Sequence, residues 1–141
     1  MIEARFCARA APCYASPMLT RDEALALFER RRRAWLDEDV DGYLALWAED
    51  MTFQSPVHVE PLRGRSAFAE LVRRSLAFAR PVRFDFSHLA VHERFVLAEW
   101  TITVERRADG GETSWRGMSV ADIREGLIHA WREYWNPADL R

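Results

Sequence analysis

The chain has 141 residues and a formal net charge of −2, with 49% hydrophobic and 30% charged residues, a composition typical of a globular protein with one core. The near-neutral charge argues against a general nucleic-acid binder, and no apolar run approaches the roughly 20 residues that a membrane helix needs. All 20 basic residues are arginine, which excludes a lysine nucleophile or a lysine Schiff base.

The N-terminal segment differs from the rest of the chain. Residues 1–17 read as an irregular tail, and residues 18–141 as a single domain. Cys7 and Cys13, the only cysteines, are too few for a disulfide framework or a four-thiolate zinc site. The tail lacks the continuous apolar stretch of a secretory signal, so we expect a cytoplasmic protein. Met18 is a candidate for the true start, because regular structure is predicted only after the tail.

The first helix is predicted to run from the N-cap Thr20, with Glu23 completing a capping box, to about Leu36. Its apolar stripe is expected to contain four residues, with Arg31 beside them: Leu25, Phe28, Arg32 and Trp35. The arginine tract 30–33 is typical of a solvated face. The alternative is that Arg31 or Arg32 reaches a carboxylate in a cavity, for which Glu133 is a candidate.

The next elements are shorter. Residues 39–42 break the first helix and cap a second one, predicted for residues 43–49. Residues 51–55 are predicted to form a short strand that ends at a proline, and residues 56–64 a loop that contains His58.

Ser66 is predicted to cap a third helix that ends before Pro81. Its inner face is expected to hold Phe68, Leu71, Val72 and Leu76. After Pro81 the pattern changes to period two, which predicts strands at 82–88, 95–105, 115–123 and 127–136. Turns are predicted at 109–111 and at 125–126. Helices followed by an antiparallel meander indicate an α+β fold.

The last predicted strand carries a chemically distinctive pattern. His129, Trp131, Glu133 and Trp135 alternate along it, and alternate side chains of a strand share one face. A carboxylate is therefore placed between two indoles. If this face lies inside the domain, the pKa of Glu133 is raised and the group suits proton transfer. If the face meets water, the pattern has no chemical meaning.

Three phrases of the sequence, at 39–50 (DVDGYLALWAED), 61–64 (PLRG) and 126–137 (GLIHAWREYWNP), resemble the nuclear transport factor 2-like superfamily. The resemblance covers roughly residues 20–138 and is strongest to SnoaL-like and ketosteroid-isomerase-like members. It implies three N-terminal helices packed in a strongly curved, mainly antiparallel sheet that forms a cone with an internal pocket. It also implies frequent homodimers through the outer sheet face.

This superfamily contains both enzymes and non-enzymes, so each catalytic position has to be compared separately. In ketosteroid isomerases the general base corresponds to Ser55 of this chain, and the two oxyanion donors correspond to about Ser119 and Arg31. None of the three family residues is kept, which argues against that mechanism.

In limonene-epoxide hydrolases the acid on the last strand corresponds to Glu133, so a carboxylate is preserved there. The arginine and the second acid correspond to Trp100 and Ile102, and the tyrosine and asparagine to Phe53 and Ser55. Because one acid cannot readily act as both base and acid, this mechanism is also disfavoured. SnoaL-like cyclases are implied to need only an acid–base carboxylate in an apolar pocket that holds the substrate folded.

Glu133, His88 and His58 are therefore the candidate catalytic residues, although Glu133 could equally form a structural ion pair and each histidine could be a core or rim residue. The candidate substrate-binding residues are Phe53, Ser55, Trp35, Trp100, Trp115, Ser119, Trp131, Trp135 and Arg31. The aromatic members could also be ordinary core. No metal-binding spacing and no glycine-rich phosphate loop is present, so we expect neither a metal nor a cofactor.

The predicted function is cofactor-independent acid–base chemistry (isomerase, cyclase, dehydratase or hydrolase type) on a small hydrophobic organic molecule. The alternative is a non-catalytic ligand-binding or dimerisation module of the same fold. Four apolar residues on the outward sheet face predict a homodimer: Leu97, Met118, Val120 and Tyr134. No nucleic-acid or membrane partner is expected.

Overall fold

A computed structural model describes residues 18–140, which form three α-helices and one six-stranded sheet. The helices are α1 (Arg21–Leu36), α2 (Val40–Leu44) and α3 (Arg65–Phe78). The strands are β1 (Trp47–Gln54), β2 (Leu62–Arg63), β3 (Ala79–His92), β4 (Phe95–Arg106), β5 (Glu112–Arg124) and β6 (Leu127–Trp135), and a 3-10 turn follows at Pro137–Leu140. The predicted tail, with Cys7 and Cys13, lies outside the described residues.

The strand order β2-β1-β6-β5-β4-β3 brings the first and last strands of the domain together. Strands β3 to β6 form an antiparallel meander, whereas β1 runs parallel to β6. Helix α1 packs against β3 and α3 packs against β1, so the open sheet curves around both helices. The predicted α+β class and the mainly antiparallel sheet are confirmed.

Helix α1 begins as predicted, with a capping box in which Thr20 and Glu23 bind each other's backbone N–H at 3.1 and 2.8 Å. Its buried face differs from the expected stripe, because Leu25 is exposed and Arg31 is buried. Arg32 lies at the rim, where its Nε donates to the Phe84 carbonyl at 2.8 Å. The helix is therefore rotated so that Arg31, rather than Arg32, points into the domain.

The second helix was predicted for residues 43–49, but it begins three residues earlier and ends five residues earlier, at Val40–Leu44. It ends at Leu44, and Trp47 already belongs to β1. The large Trp47 ring is buried, and the backbone N–H of Ile128 on β6 donates to the Leu46 carbonyl at 2.9 Å. These tertiary contacts outweigh the local helix propensity. The two-residue strand β2, which lies in the predicted loop, pairs with β1 and was not anticipated.

Helix α3 starts two residues earlier than expected, with Gly64 rather than Ser66 as the N-cap. Gly64 has φ +89°, a conformation that glycine adopts without steric penalty. The predicted inner face of this helix is confirmed: Phe68, Val72 and Leu76 are buried, and Leu71 is half-buried and packs against the core.

Strand β3 is longer than predicted and contains two irregularities, one between Pro81 and Arg83 and one between Phe86 and His88. A proline is tolerated because β3 is an edge strand. Each irregularity shifts the alternation of side chains. The expected placement of His88 on the apolar face is therefore wrong: its side chain is 81% exposed.

Apolar side chains also occur on the outer face of the sheet. Leu97, Met118 and Tyr134 are all exposed, and the register places Met118 beside Tyr134 on neighbouring strands. Within residues 18–140, no helix has the length and apolar character required to span a lipid bilayer.

Candidate functional site

Glu133 lies on the inner face of β6 between two tryptophans, as its alternation predicts. Trp131 Nε1 donates to one carboxylate oxygen and Trp135 Nε1 donates to the other, both at 3.0 Å. Trp131 is fully buried, whereas Glu133 and Trp135 are half-buried. The carboxylate is thus held from both sides by neutral donors on its own strand.

Burial is the largest influence on the Glu133 carboxyl, and it raises the pKa. The Arg31 guanidinium opposes this effect, as do the hydrogen bonds from Trp131 and Trp135, but the raised pKa remains the net result. A carboxyl group in this state keeps its proton more readily than an exposed glutamate and is the stronger base once ionised.

The neighbouring strands place two serines next to Glu133. Ser119 of β5 is its direct register partner, and side chains of such a pair share one face. On the other side, the parallel register pairs Gln54 with Arg132, so Ser55, the next residue of the chain, lies at the level of Glu133. Both serines are buried. Strands β5 and β6, together with the residue that follows β1, therefore present a row of polar groups to the interior.

Ser55 connects this row to the following loop. Its hydroxyl is hydrogen-bonded to His58 Nδ1 at 2.7 Å, and the His58 ring lies edge-on to Phe53 with 5.7 Å between centroids. The backbone N–H of His58 also donates to the Ser55 carbonyl at 3.0 Å. The half-buried imidazole is therefore fixed at the edge of the row rather than free in the loop.

Arg31 enters the interior from α1. Only 4% of the residue is exposed, and its guanidinium lies 4.1 Å from the centre of the Trp131 ring and 4.9 Å from that of Phe84. Tyr43 and Trp47 complete this aromatic enclosure at 5.3 and 6.0 Å. The same guanidinium opposes the effect of burial, which raises the pKa of the Tyr43 phenol.

Several buried polar atoms of the described residues have no hydrogen-bond partner in the protein. They are Nε and Nη1 of Arg31, Nε1 of Trp35, Trp47 and Trp100, and Oγ of Ser119. Buried polar groups are nearly always paired with protein, water or a ligand. These atoms are therefore candidates for contacts with a ligand.

The remaining aromatic candidates lie around this region. Trp35 is 5.6 Å from Tyr43, and Trp115 is 6.4 Å from Trp135, between ring centres. Trp100 is buried, and its indole covers Gly117, where a β-carbon would clash at 2.6 Å. Glycine at this position leaves room for the indole against β5.

Two other histidines, His88 and His129, have carboxylate neighbours other than Glu133. His88 Nδ1 lies on the sheet exterior, 3.8 Å from a carboxylate oxygen of Glu99. His129 shares the strand of Glu133, but its Nδ1 faces Asp50 at 3.9 Å. Among the described residues, no group of three or more His, Cys, Asp or Glu is placed to hold a metal ion.

Sequence reasoning missed Tyr43, Trp47 and Phe84 as neighbours of Arg31. Tyr43 and Trp47 had been assigned to the second helix. The alternation of Trp47, Met51 and Phe53 at odd positions indicates a strand that begins at Trp47, and this signal could have identified it.

Two open cavities lie elsewhere on the surface. One of about 970 Å³ is bounded by the start of α1 and the β3–β4 and β5–β6 turns, and it includes Arg30, Arg94 and His129. The other, of about 310 Å³, is lined in part by Thr52, Asp122 and other residues of β1, β5 and β6. Glu133 lines neither of them, although its neighbour Trp131 contributes to the second.

The model of the SnoaL-like domain family matches residues 28–131 of this chain. The chain belongs to this family. The matched range contains Arg31, Ser55 and Ser119, and ends two residues before Glu133. No curated protein sequence matches the chain significantly.

Three solved structures with the same fold each match this chain with a TM-score of 0.72. A candidate isomerase from Bacillus subtilis is 22% identical over 84% of this chain and 89% of its own. An LEH-like epoxide hydrolase from Mycobacterium tuberculosis is 23% identical over 84% and 86%, respectively. A candidate polyketide cyclase from Xanthomonas campestris is 23% identical over 85% and 95%. At this level of identity, the similarity establishes the fold.

Proposed function

We propose that this protein is a small-molecule enzyme that performs cofactor-independent acid–base chemistry on a hydrophobic organic substrate, with Glu133 as the proton carrier. The reaction is of isomerase, cyclase, dehydratase or hydrolase type. The observation that carries the proposal is the carboxylate of Glu133, held on the inner face by two indole N–H groups and with a pKa raised by burial.

In the proposed mechanism, ionised Glu133 removes a proton from the substrate and returns it at a second position or to a leaving oxygen. The indoles of Trp131 and Trp135 fix both carboxylate oxygens, so little reorientation is needed during the transfer. The Ser119 hydroxyl, next to Glu133 and without a partner among the described residues, is placed to donate to an oxygen that gains charge.

His58 is the proposed second proton carrier. Ser55 binds its Nδ1 and so orients the ring, and Ser55 also lies at the level of Glu133. Two groups of different basicity can act as acid and base in one turnover. His88 has no part in this mechanism, because it is exposed on the outer face.

The alternative proposal is a non-catalytic module that binds a small ligand. It is favoured by the serine at position 55 and by Trp100 and Ile102, where the resemblance to ketosteroid isomerases and epoxide hydrolases would require acidic or basic groups. A solved relative of this fold is described as an LEH-like epoxide hydrolase and another as a candidate polyketide cyclase, so these substrate classes are the first to test.

A panel of hydrophobic ketones, epoxides and polyketide-like aromatics, screened by thermal shift and then by mass analysis, separates the two proposals. A catalyst converts a ligand that raises the melting temperature, whereas a binding module returns it unchanged.

Once a converted compound has been identified, Glu133→Gln is expected to lower kcat by about 100-fold or more. Glu112→Gln, which removes an exposed carboxylate from β5, is the matched control. Unchanged turnover in Glu133→Gln would exclude Glu133 from the mechanism.

We further propose that two copies associate through the outer sheet face around Met118 and Tyr134. These exposed apolar side chains are neighbours on β5 and β6, and such patches commonly mark interfaces. The double substitution Met118→Glu and Tyr134→Glu should convert a dimer to a monomer in sedimentation experiments. A monomeric wild type at micromolar concentration would contradict the proposal.

The cytoplasmic location of the protein stays a prediction.

A further inference from the structure

Arg31 is a permanent positive charge inside the domain. A guanidinium group stays protonated at any ordinary pH, so burial cannot neutralise it. The residue is 4% exposed, and its Nε and Nη1 have no hydrogen-bond partner among the described residues. Buried charges in proteins normally have an ionic or hydrogen-bonded partner, because an unpaired one is strongly destabilising.

Other arginines of the described chain are paired in the expected way. Arg94 Nε donates to Asp122 at 2.8 Å, Arg32 Nε to the Phe84 carbonyl at 2.8 Å, and Arg107 Nε to the Leu76 carbonyl at 2.8 Å. Arg31 lies among aromatic rings, and its guanidinium is also within hydrogen-bonding reach of the Tyr43 hydroxyl. Cation–π contacts compensate part of its lost hydration, but they leave its Nε and Nη1 without a hydrogen-bond partner.

The unpaired atoms of this interior are nearly all of one chemical kind. The Nε and Nη1 of Arg31 can only donate hydrogen bonds, and so can the indoles of Trp35, Trp47 and Trp100. The Ser119 hydroxyl can donate as well. A set of donors without acceptors is satisfied by a ligand that offers acceptor oxygens.

Glu133 does not supply those acceptors. Its oxygens already accept from Trp131 and Trp135, and the ion pairs of the described residues include none between Arg31 and Glu133. Burial works against the ionised form of Glu133, which makes this carboxyl a poor partner to neutralise the positive charge of Arg31. The aromatic rings around that charge provide flat apolar surfaces for the body of a ligand.

We infer that the site at Glu133 takes organic anions: planar, apolar molecules with a carboxylate, whose oxygens accept hydrogen bonds from Arg31. The inference names a substrate class and so rests on the proposed function for the location of the site. Anion binding is measured without turnover, however, so the two can fail separately. Arg31 acts here as the binding residue and Glu133 as the proton carrier.

The experiment compares three probes of one shape: 2-naphthoate, 2-naphthamide and 2-naphthylmethylammonium, by titration calorimetry on the full chain. Naphthoate is expected to bind at least about tenfold more tightly than the amide, because a charge-assisted hydrogen bond in a buried site is worth about twice a neutral one. The ammonium probe should bind most weakly. Equal affinities for the three probes, or no binding of naphthoate and of the smaller benzoate up to millimolar concentrations, would overturn the inference.

Arg31→Met tests the assignment to one residue. Methionine keeps an unbranched side chain and removes the buried charge, a replacement that proteins often tolerate. The preference for naphthoate should disappear in Arg31→Met and persist in Arg30→Met, which removes an exposed charge one residue earlier on α1. Persistence of the preference in Arg31→Met, or an equal loss in Arg30→Met, would refute a role of Arg31.

If Arg31→Met does not fold, the comparison of the three probes with the wild type still decides the question. Glu133→Gln separates the two proposals, because it should lose turnover and keep the naphthoate preference. If Glu133→Gln retains turnover while the preference stands, the proposed catalytic role fails and the anion site remains. The opposite pattern leaves the catalytic role and removes the anion site.

Discussion

Two carboxylates on adjacent strands have different hydrogen-bond donors, and their pKa values are shifted in opposite directions. Asp122 of β5 accepts from Arg94 at 2.8 Å and from Arg124 at 2.7 Å. Glu133 of β6 accepts only from two neutral indoles, both at 3.0 Å. Burial raises the pKa of Asp122, but the bonds and charges of the two arginines outweigh it and the net pKa is lowered. For Glu133 burial prevails and the pKa is raised.

The opposite pKa shifts of Asp122 and Glu133 distinguish a carboxylate held in its ionised form from a carboxyl group that can more readily gain or lose a proton. The sequence is rich in arginine, so an arginine could pair with either carboxylate. Arg31 is close enough to Glu133 to influence its pKa. Even so, the guanidinium lies against aromatic rings instead of forming an ion pair. Asp122 is therefore a structural ion pair, whereas Glu133 is suited to proton exchange.

The largest stability effect is expected from breaking the paired carboxylate. Asp122→Asn should lower the free energy of unfolding by about 1–3 kcal/mol at pH 7, because it leaves two arginines without their acceptor. Solvent at the half-exposed arginines limits the loss. Glu133→Gln should change stability by less than about 1 kcal/mol, since one weakened indole bond is offset by removal of a buried negative charge. Urea unfolding of both variants measures this, and equal losses would contradict the comparison.

A smaller and more diagnostic effect is expected from pH. As pH rises above the ordinary glutamate value of 4.5, the unfolded chain loses the Glu133 proton before the folded chain does. Stability therefore falls with rising pH until Glu133 also ionises in the folded state. Asp122 behaves in the opposite sense: its contribution is present above 3.8 and is lost as pH falls through its lowered folded pKa.

The measurement is the free energy of unfolding of the wild type and of each variant between about pH 2 and pH 8, a range that reaches below the ordinary aspartate value of 3.8. The difference between Glu133→Gln and the wild type should grow in favour of the variant as pH rises. The difference between the wild type and Asp122→Asn should shrink towards acid pH. Parallel pH profiles for Glu133→Gln and the wild type would mean that the pKa of Glu133 is not raised.

Local patterns predicted much of this fold. The capping box at Thr20, the turn at 109–111 and the alternation of β6 each depend on neighbouring residues, and each is confirmed. The second helix failed because the pairing of Trp47 with β6 joins residues about 80 positions apart in sequence. Likewise, the two irregularities of β3 arise from pairing with β4, and no local signal indicates them.

The candidate site divides in the same manner. The position of Glu133 between Trp131 and Trp135 follows from period two within one strand. The burial of Arg31 depends on how α1 rotates against the sheet, and a tract of four arginines reads as solvated from sequence alone. Contacts between elements, such as that of Arg31 with Trp131, are therefore the part that required the structure.

The finest test of the comparison removes one neutral donor from Glu133. Trp135→Phe keeps an aromatic ring on the strand and deletes the N–H that binds Oε2. Because that bond favours the ionised carboxylate, its loss should raise the pKa of Glu133 further.

Titration of the labelled Glu133 carboxyl carbon by NMR measures this change. Trp115→Phe, which alters the neighbouring ring 6.4 Å from Trp135 without touching the carboxylate bond, is the matched control and should leave the pKa of Glu133 in place. A lower or unchanged pKa in Trp135→Phe would mean that the indole bonds do not set the protonation of Glu133. Burial and Arg31 alone would then determine the pKa of Glu133. The difference from Asp122, which accepts hydrogen bonds from two arginines, would then depend only on how close each carboxylate lies to a guanidinium.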